Sequence, residues 1–177
     1  MTSPHARPDQ PAASGPGDAT PSDDRAGGEP QVTPRPADGY AGDLTPQQAW
    51  TLLAQDERAV LVDVRTEGEW ATIGVPDVSD LGKQVTYAQW VTPLGPNPAF
   101  LDEVLGSGLA PGDGRPVVFL CRSGQRSIGA ARAATGAGLG PAYNVLDGFE
   151  GDADAAGVRG HRGWRAVGLA STTWSRA

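Results

Sequence analysis

Cysteine, lysine and histidine are almost missing from this chain, which has one cysteine, one lysine (Lys83) and two histidines among 177 residues. A single cysteine cannot close an internal disulfide, so a stapled secreted domain is excluded and a reducing interior fits better. No second thiol exists to resolve a sulfenic acid, which argues against a peroxide sensor. His5 near the start and His161 near the end, beside one cysteine, make no metal-ligand set. Neither a metal nor a cofactor is expected. Long apolar runs are lacking as well: nowhere do about 18 apolar residues follow one another, and Met1 to Pro8 hold no signal-peptide core. The expectation is a soluble cytoplasmic protein with no membrane partner. Excess positive charge is also absent, since 21 acidic residues outnumber 14 basic ones for a net charge of -7. Proteins that grip nucleic-acid backbones usually carry a basic face, so nucleic acid is not an expected partner.

The length allows one domain of roughly 100–150 residues with an extension. Residues 1–43 contain eight prolines, six glycines and seven acidic against three basic residues. Such a segment buries too little apolar surface to offset its ordering entropy. A disordered acidic tail is expected over residues 1–43 and a folded domain over 44–177. Thr45 suits a helix cap, Pro46 its first turn, and Ala49, Leu52 and Leu53 an apolar stripe, giving a helix that ends near Gln55. The run from Ala59 to Arg65 reads as a buried parallel strand. Between Gly68 and Pro98 the signals mix, with Val85 to Tyr87 and Gln89 to Val91 suited to pair as strands. Asn97 and Pro98 read as the cap and first position of a helix running to Leu105. Pro116 to Cys121 is the strongest strand in the chain, followed by a polar loop, a helix of small residues and a strand over Ala142 to Leu146. That order is a βαβ unit, a parallel sheet covered by helices.

Cys121 closes the strongest strand just ahead of a helix, the place where open α/β sheets bind ligands. By burial habit a lone cysteine there is a core residue. The loop that follows points the other way, because Arg122 and Arg126 beside a plain core thiol would strand charge without purpose. Loop N–H groups and the helix start would face the sulfur and, with the two arginines, favour the thiolate over the thiol.

The segment Cys121-Arg122-Ser123-Gly124-Gln125-Arg126-Ser127 resembles the active-site loop of the rhodanese family. Leu61-Val62-Asp63-Val64-Arg65 resembles its upstream Asp-Val-Arg element, and Glu69-Trp70 falls where the family carries an acidic and an aromatic residue. Asn144 to Phe149 and Gly163 to Leu169 are similar to the family's last strand and C-terminal segment. The likeness covers about residues 44 to 172. It implies a rhodanese-like three-layer α/β domain, a mostly parallel five-stranded sheet flanked by helices. It also implies a thiosulfate sulfurtransferase-type enzyme: Cys121 takes a sulfane sulfur from thiosulfate or another persulfide donor, holds it as a persulfide, and yields it to cyanide, a thiol or a protein acceptor. On this resemblance Arg122 and Arg126 orient the small anionic donor and Ser123, Gly124, Gln125 and Ser127 complete the binding loop. Ser127 suits a hydroxyl donor to the sulfur and a helix cap equally well. Asp63 and Arg65 read as a structural charge pair near the site.

Two departures stand out. The family's Gly-His-Ile is replaced by Gly74-Val75-Pro76, so no histidine role transfers, and residues 76–98 run longer than in a minimal domain, leaving Trp90 as either pocket wall or core. A cysteine phosphatase needs an arginine six residues after the cysteine and usually a histidine before it; those positions hold Ser127 and Leu120, so a phosphoryl group would lack its fork. A non-enzymatic sulfur-carrier or regulatory module remains the alternative.

Overall fold

The computed structural model describes Met1 and residues 32–175. In chain order the elements are β1 (Gly42–Leu44), α1 (Pro46–Gln55), β2 (Val60–Asp63), α2 (Glu67–Ile73), β3 (Val75–Pro76), β4 (Val85–Tyr87), β5 (Val91–Thr92) and β6 (Gly95–Pro96). There follow α3 (Phe100–Leu105), β7 (Val117–Leu120), α4 (Arg126–Gly136), β8 (Ala142–Val145), α5 (Gly163–Ala166) and β9 (Ser171–Thr172). The central sheet has the order β1-β8-β7-β2-β4 and every neighbouring pair is parallel.

Strand side chains alternate between the two faces of a sheet, and here each face meets its own helices. Val60, Val62, Val117, Phe119 and Ala142 pack with Phe100 and Val104 of α3 and with Ala130, Ala131 and Ala134 of α4. On the opposite face Leu44, Leu61, Val118, Leu120 and Val145 pack with Ala49 and Leu53 of α1 and Trp164 of α5. Strands hydrophobic on both faces are what a parallel sheet covered by helices requires. Helix α1 starts as the sequence suggests: Thr45 Oγ1 accepts from Gln48 N at 3.2 Å, Gln48 Oε1 accepts from Thr45 N at 2.9 Å, and Pro46 takes the first position.

Three local expectations change. The fold begins ahead of residue 44: Arg35 and Asp43 exchange backbone hydrogen bonds at 2.8 and 2.9 Å, and Asp43 belongs to β1. Composition hides this, because Asp43 is a charged residue buried by partners distant in sequence. Of the expected tail, residues 2–31 lie outside the described residues. Val85–Tyr87 does not pair with the following strand but runs beside β2, and Ala88 N and Trp90 N continue that edge by donating to Asp63 O and Val64 O. The chain reverses only at Pro93 and Leu94, so β5 pairs with β6. Helix α3 starts at Phe100 instead of Pro98, since Asn97 Oδ1 accepts from Ala99 N at 3.0 Å and makes an Asx turn rather than a cap. Among the described residues, no helix is long and apolar enough to cross a membrane.

Candidate active site

Strand β7 delivers Cys121 to the carboxyl edge of the sheet, where its side chain is 1% exposed. The loop turns back at once, and Gly124 donates its N–H to Sγ at 3.1 Å. Only glycine fits there, for its φ is +83° and a Cβ would stand 2.9 Å from Asp147 N. The first turn of α4 follows, with N–H groups that helical geometry leaves without an intrahelical acceptor. A second loop fixes the first from behind: Phe149 N donates to Cys121 O at 2.8 Å, and Glu150 N and Gly151 N donate to Arg122 O at 3.0 and 3.2 Å.

Both loop arginines are engaged by carboxylates. Arg126 holds Glu69 in a two-pronged pair, Nη1 to Oε2 at 2.8 Å and Nη2 to Oε1 at 2.6 Å. Burial pushes the Glu69 carboxyl up, but Arg126, the Thr66 N–H and the Thr66 hydroxyl outweigh it and hold it at about 2. Arg122 Nε donates to Glu150 Oε2 at 2.8 Å, and Arg165 Nη1 stands 3.7 Å from Glu150 Oε1. An anionic donor entering the loop therefore meets guanidinium groups with partners already in place. Neither carboxylate was assigned a role from the sequence. The signal for Glu69 was present as Thr66-x-x-Glu69, a capping box that fixes this carboxylate at the start of α2; nothing local marked Glu150.

The other residues singled out in the sequence lie as follows. Ser123 is half-buried and Gln125 is exposed at the start of α4. Ser127 is fully buried in the first turn of α4 and caps nothing; its Oγ lies 3.1 Å from Sγ and 2.6 Å from Asn144 Oδ1. Asp63 and Arg65 are both 0% exposed and paired at 2.6 Å, and Phe149 lies 4.0 Å under the Arg65 guanidinium. Trp90, half-buried, packs against the core with its ring centroid 4.9 Å from that of Phe100. Among the described residues, no three His, Cys, Asp or Glu side chains gather as a metal site. A cavity of about 450 Å³ lined by Asp152, Asp154, His161 and Arg162 lies before α5, and none of the Cys121 loop lines it.

Residues 45–155 match the family model for the rhodanese-like domain. The chain belongs to that family. Its rhodanese-like fold is shared with the crystal structure of Rv0390 from M. tuberculosis, 58% identical with a TM-score of 0.69 over 76% of this chain and 99% of that one. The solution structure of the 30 kDa polysulfide-sulfur transferase homodimer from Wolinella succinogenes is 26% identical, with a TM-score of 0.53 over 75% of this chain and 78% of that one. An uncharacterized protein of Rickettsia conorii, RC0915, is 38% identical over 105 residues, 59% of this chain and 80% of that protein.

Proposed function

We propose that this rhodanese-like domain is a sulfurtransferase in which Cys121 carries sulfane sulfur as a persulfide. The observation that carries this reading is the cradle of the chain's one thiol: Cys121 directly follows β7, its Sγ receives the Gly124 N–H at 3.1 Å and lies 3.1 Å from Ser127 Oγ in the first turn of an 11-residue helix. Such donors stabilise charge on a sulfur as an oxyanion hole does on an oxygen. With thiosulfate, the Cys121 thiolate attacks the outer sulfur, the S–S bond of the donor breaks, and sulfite leaves with the electron pair. Cyanide or a thiol then attacks the outer sulfur of the persulfide, and the thiolate departs unchanged. A reducing compartment such as the cytoplasm suits a protein whose thiol must stay free.

The occupied arginines favour a second reading, that of a carrier charged by a protein or small-molecule persulfide. A dianion such as thiosulfate has to share guanidinium groups whose charge Glu69 and Glu150 already offset, whereas a persulfide brings less charge. Intact-protein mass spectrometry after incubation with thiosulfate or a persulfide tests both: the wild type gains one sulfur, about 32 Da, reversed by cyanide or dithiothreitol, and Cys121→Ser gains none. Labelling that persists in Cys121→Ser overturns the assignment; uptake from the persulfide alone selects the carrier.

A further inference from the structure

Behind the sulfur, three buried side chains form a row whose polarity is set from its far end. Asp43 in β1 is 6% exposed, Asn144 in β8 1% and Ser127 in α4 0%. Asp43 Oδ1 accepts from Asn144 Nδ2 at 2.8 Å and from the Tyr40 hydroxyl at 2.7 Å. Its Oδ2 accepts from Arg35 Nη2 and Nε at 2.7 and 3.1 Å. Burial pushes the Asp43 carboxyl up, but the bonds from Asn144, Tyr40 and Arg35 outweigh it and hold it below the usual carboxylate value.

An ionised carboxylate accepts and cannot donate. Asn144 must therefore turn its NH₂ to Asp43 and its Oδ1 to Ser127. A serine hydroxyl has one proton, and an acceptor-only oxygen at 2.6 Å takes it. What Ser127 presents to Sγ, 3.1 Å away, is then a lone pair.

We propose that Asp43 and Asn144 aim the Ser127 proton away from the sulfur, so that resting Cys121 is a thiol donating into Ser127. A negative sulfur there would face the same lone pair, because turning the proton round strands Asn144 Oδ1 in a buried site. The row rests on the reading of Cys121 as sulfur carrier and deepens it: Asp43, Asn144 and Ser127 are positioning residues that keep the thiol from adventitious alkylation and oxidation until a donor arrives.

Of the charges near Cys121, Arg126 pairs with Glu69, Arg122 with Glu150, which Arg165 also approaches, and Asp63 with Arg65, and Asp147 stands behind Gly124. Neither substitution used below removes a member of these pairs. Tyr40, raised to about 12 by burial and by Asp43, titrates far above the thiol range, and so does Tyr87, also at about 12.

The test is the pH titration of thiolate ultraviolet absorbance in the full chain, with Cys121→Ser as blank, for the wild type, Ser127→Ala and Asn144→Leu. Removing Asn144 leaves the Ser127 proton only the sulfur, so the midpoint of Asn144→Leu falls by about half to one pH unit, the size of one net hydrogen bond. Ser127→Ala deletes the acceptor of the thiol proton and also lowers the midpoint. A serine that donates to the thiolate gives the opposite sign, a rise in Ser127→Ala. A rise or no change in Ser127→Ala overturns the proposal, as does an unmoved midpoint in a folded Asn144→Leu. Should Asn144→Leu fail to fold, the sign in Ser127→Ala decides alone. Sulfur uptake, measured separately, can fail without moving these midpoints, so loss of the sulfurtransferase reading and loss of the relay are told apart.

Discussion

Replacing Glu69 with glutamine removes the charge of a carboxylate that is tightly paired with Arg126 of the cysteine loop. Glu69 is 15% exposed and receives four hydrogen bonds, two from Arg126 at 2.6 and 2.8 Å, one from the Thr66 N–H at 2.8 Å and one from its hydroxyl at 2.9 Å. These hold it at about 2 against an ordinary 4.5. At about 1.36 kcal/mol per pH unit, that interval corresponds to about 3 kcal/mol of stability. A carboxyl whose folded value lies below its unfolded value contributes this stabilisation in full above pH 4.5 and loses it as pH falls toward 2. The stability difference between wild type and Glu69→Gln is therefore largest near pH 6 and shrinks by about 3 kcal/mol as pH approaches 2. Taking the difference cancels the other carboxylates, which titrate in both proteins. Urea unfolding followed by tryptophan fluorescence at several pH values measures it. Curves that run parallel from pH 6 to pH 2.5 would show that Arg126 does not hold Glu69 in solution, and the occupied-arginine account would fall with that result.

Arg126→Ala is expected to lower kcat/KM for thiosulfate by about 10–150-fold, the equivalent of one charge-assisted hydrogen bond at roughly 1.5–3 kcal/mol. Arg126→Lys recovers only part, since lysine keeps the charge and loses the fork; unchanged steady-state kinetics in both variants would refute a donor-orienting role. Gly129→Ala, in α4, would bring a Cβ to 2.8 Å from Trp90 Cζ2. Overpacking costs about 1–3 kcal/mol against a propensity gain of about 1 kcal/mol, so chemical denaturation should show net destabilisation that disappears in a Trp90→Leu background. Equal effects of Gly129→Ala in both backgrounds would remove Trp90 as the cause.

What the sequence made legible was whatever local spacing carries. Thr45 and Gln48 lie three residues apart and declare a helix start, and the apolar run into Cys121 with a polar loop behind it declares strand, turn and helix. Asp63 and Arg65, two residues apart, meet as a pair for the same reason. The unread parts depend on contacts between distant segments. Glu69 reaches Arg126 across 57 residues and Glu150 reaches Arg122 across 28. Asp43 reaches Asn144 across 101 residues, so its burial could not be foreseen from the acidic, proline-rich stretch around it. Asn97 misled for a subtler reason: an Asx turn and a helix cap use the same side-chain oxygen and the same spacing of residues.

The strand order β1-β8-β7-β2-β4 sets a calendar for making the site. Among the described residues, β1 is the first strand made and its neighbour in the central sheet is β8, so during N-to-C synthesis it must wait while almost the whole domain is made. The backbone clamps on Cys121 and Arg122 come later still, from Phe149, Glu150 and Gly151. A nascent chain that has emerged as far as α4 thus presents the cysteine loop without its rear support and without the Asn144 amide. The thiol is consequently closed in late, ahead of the core face that waits for Trp164 of α5.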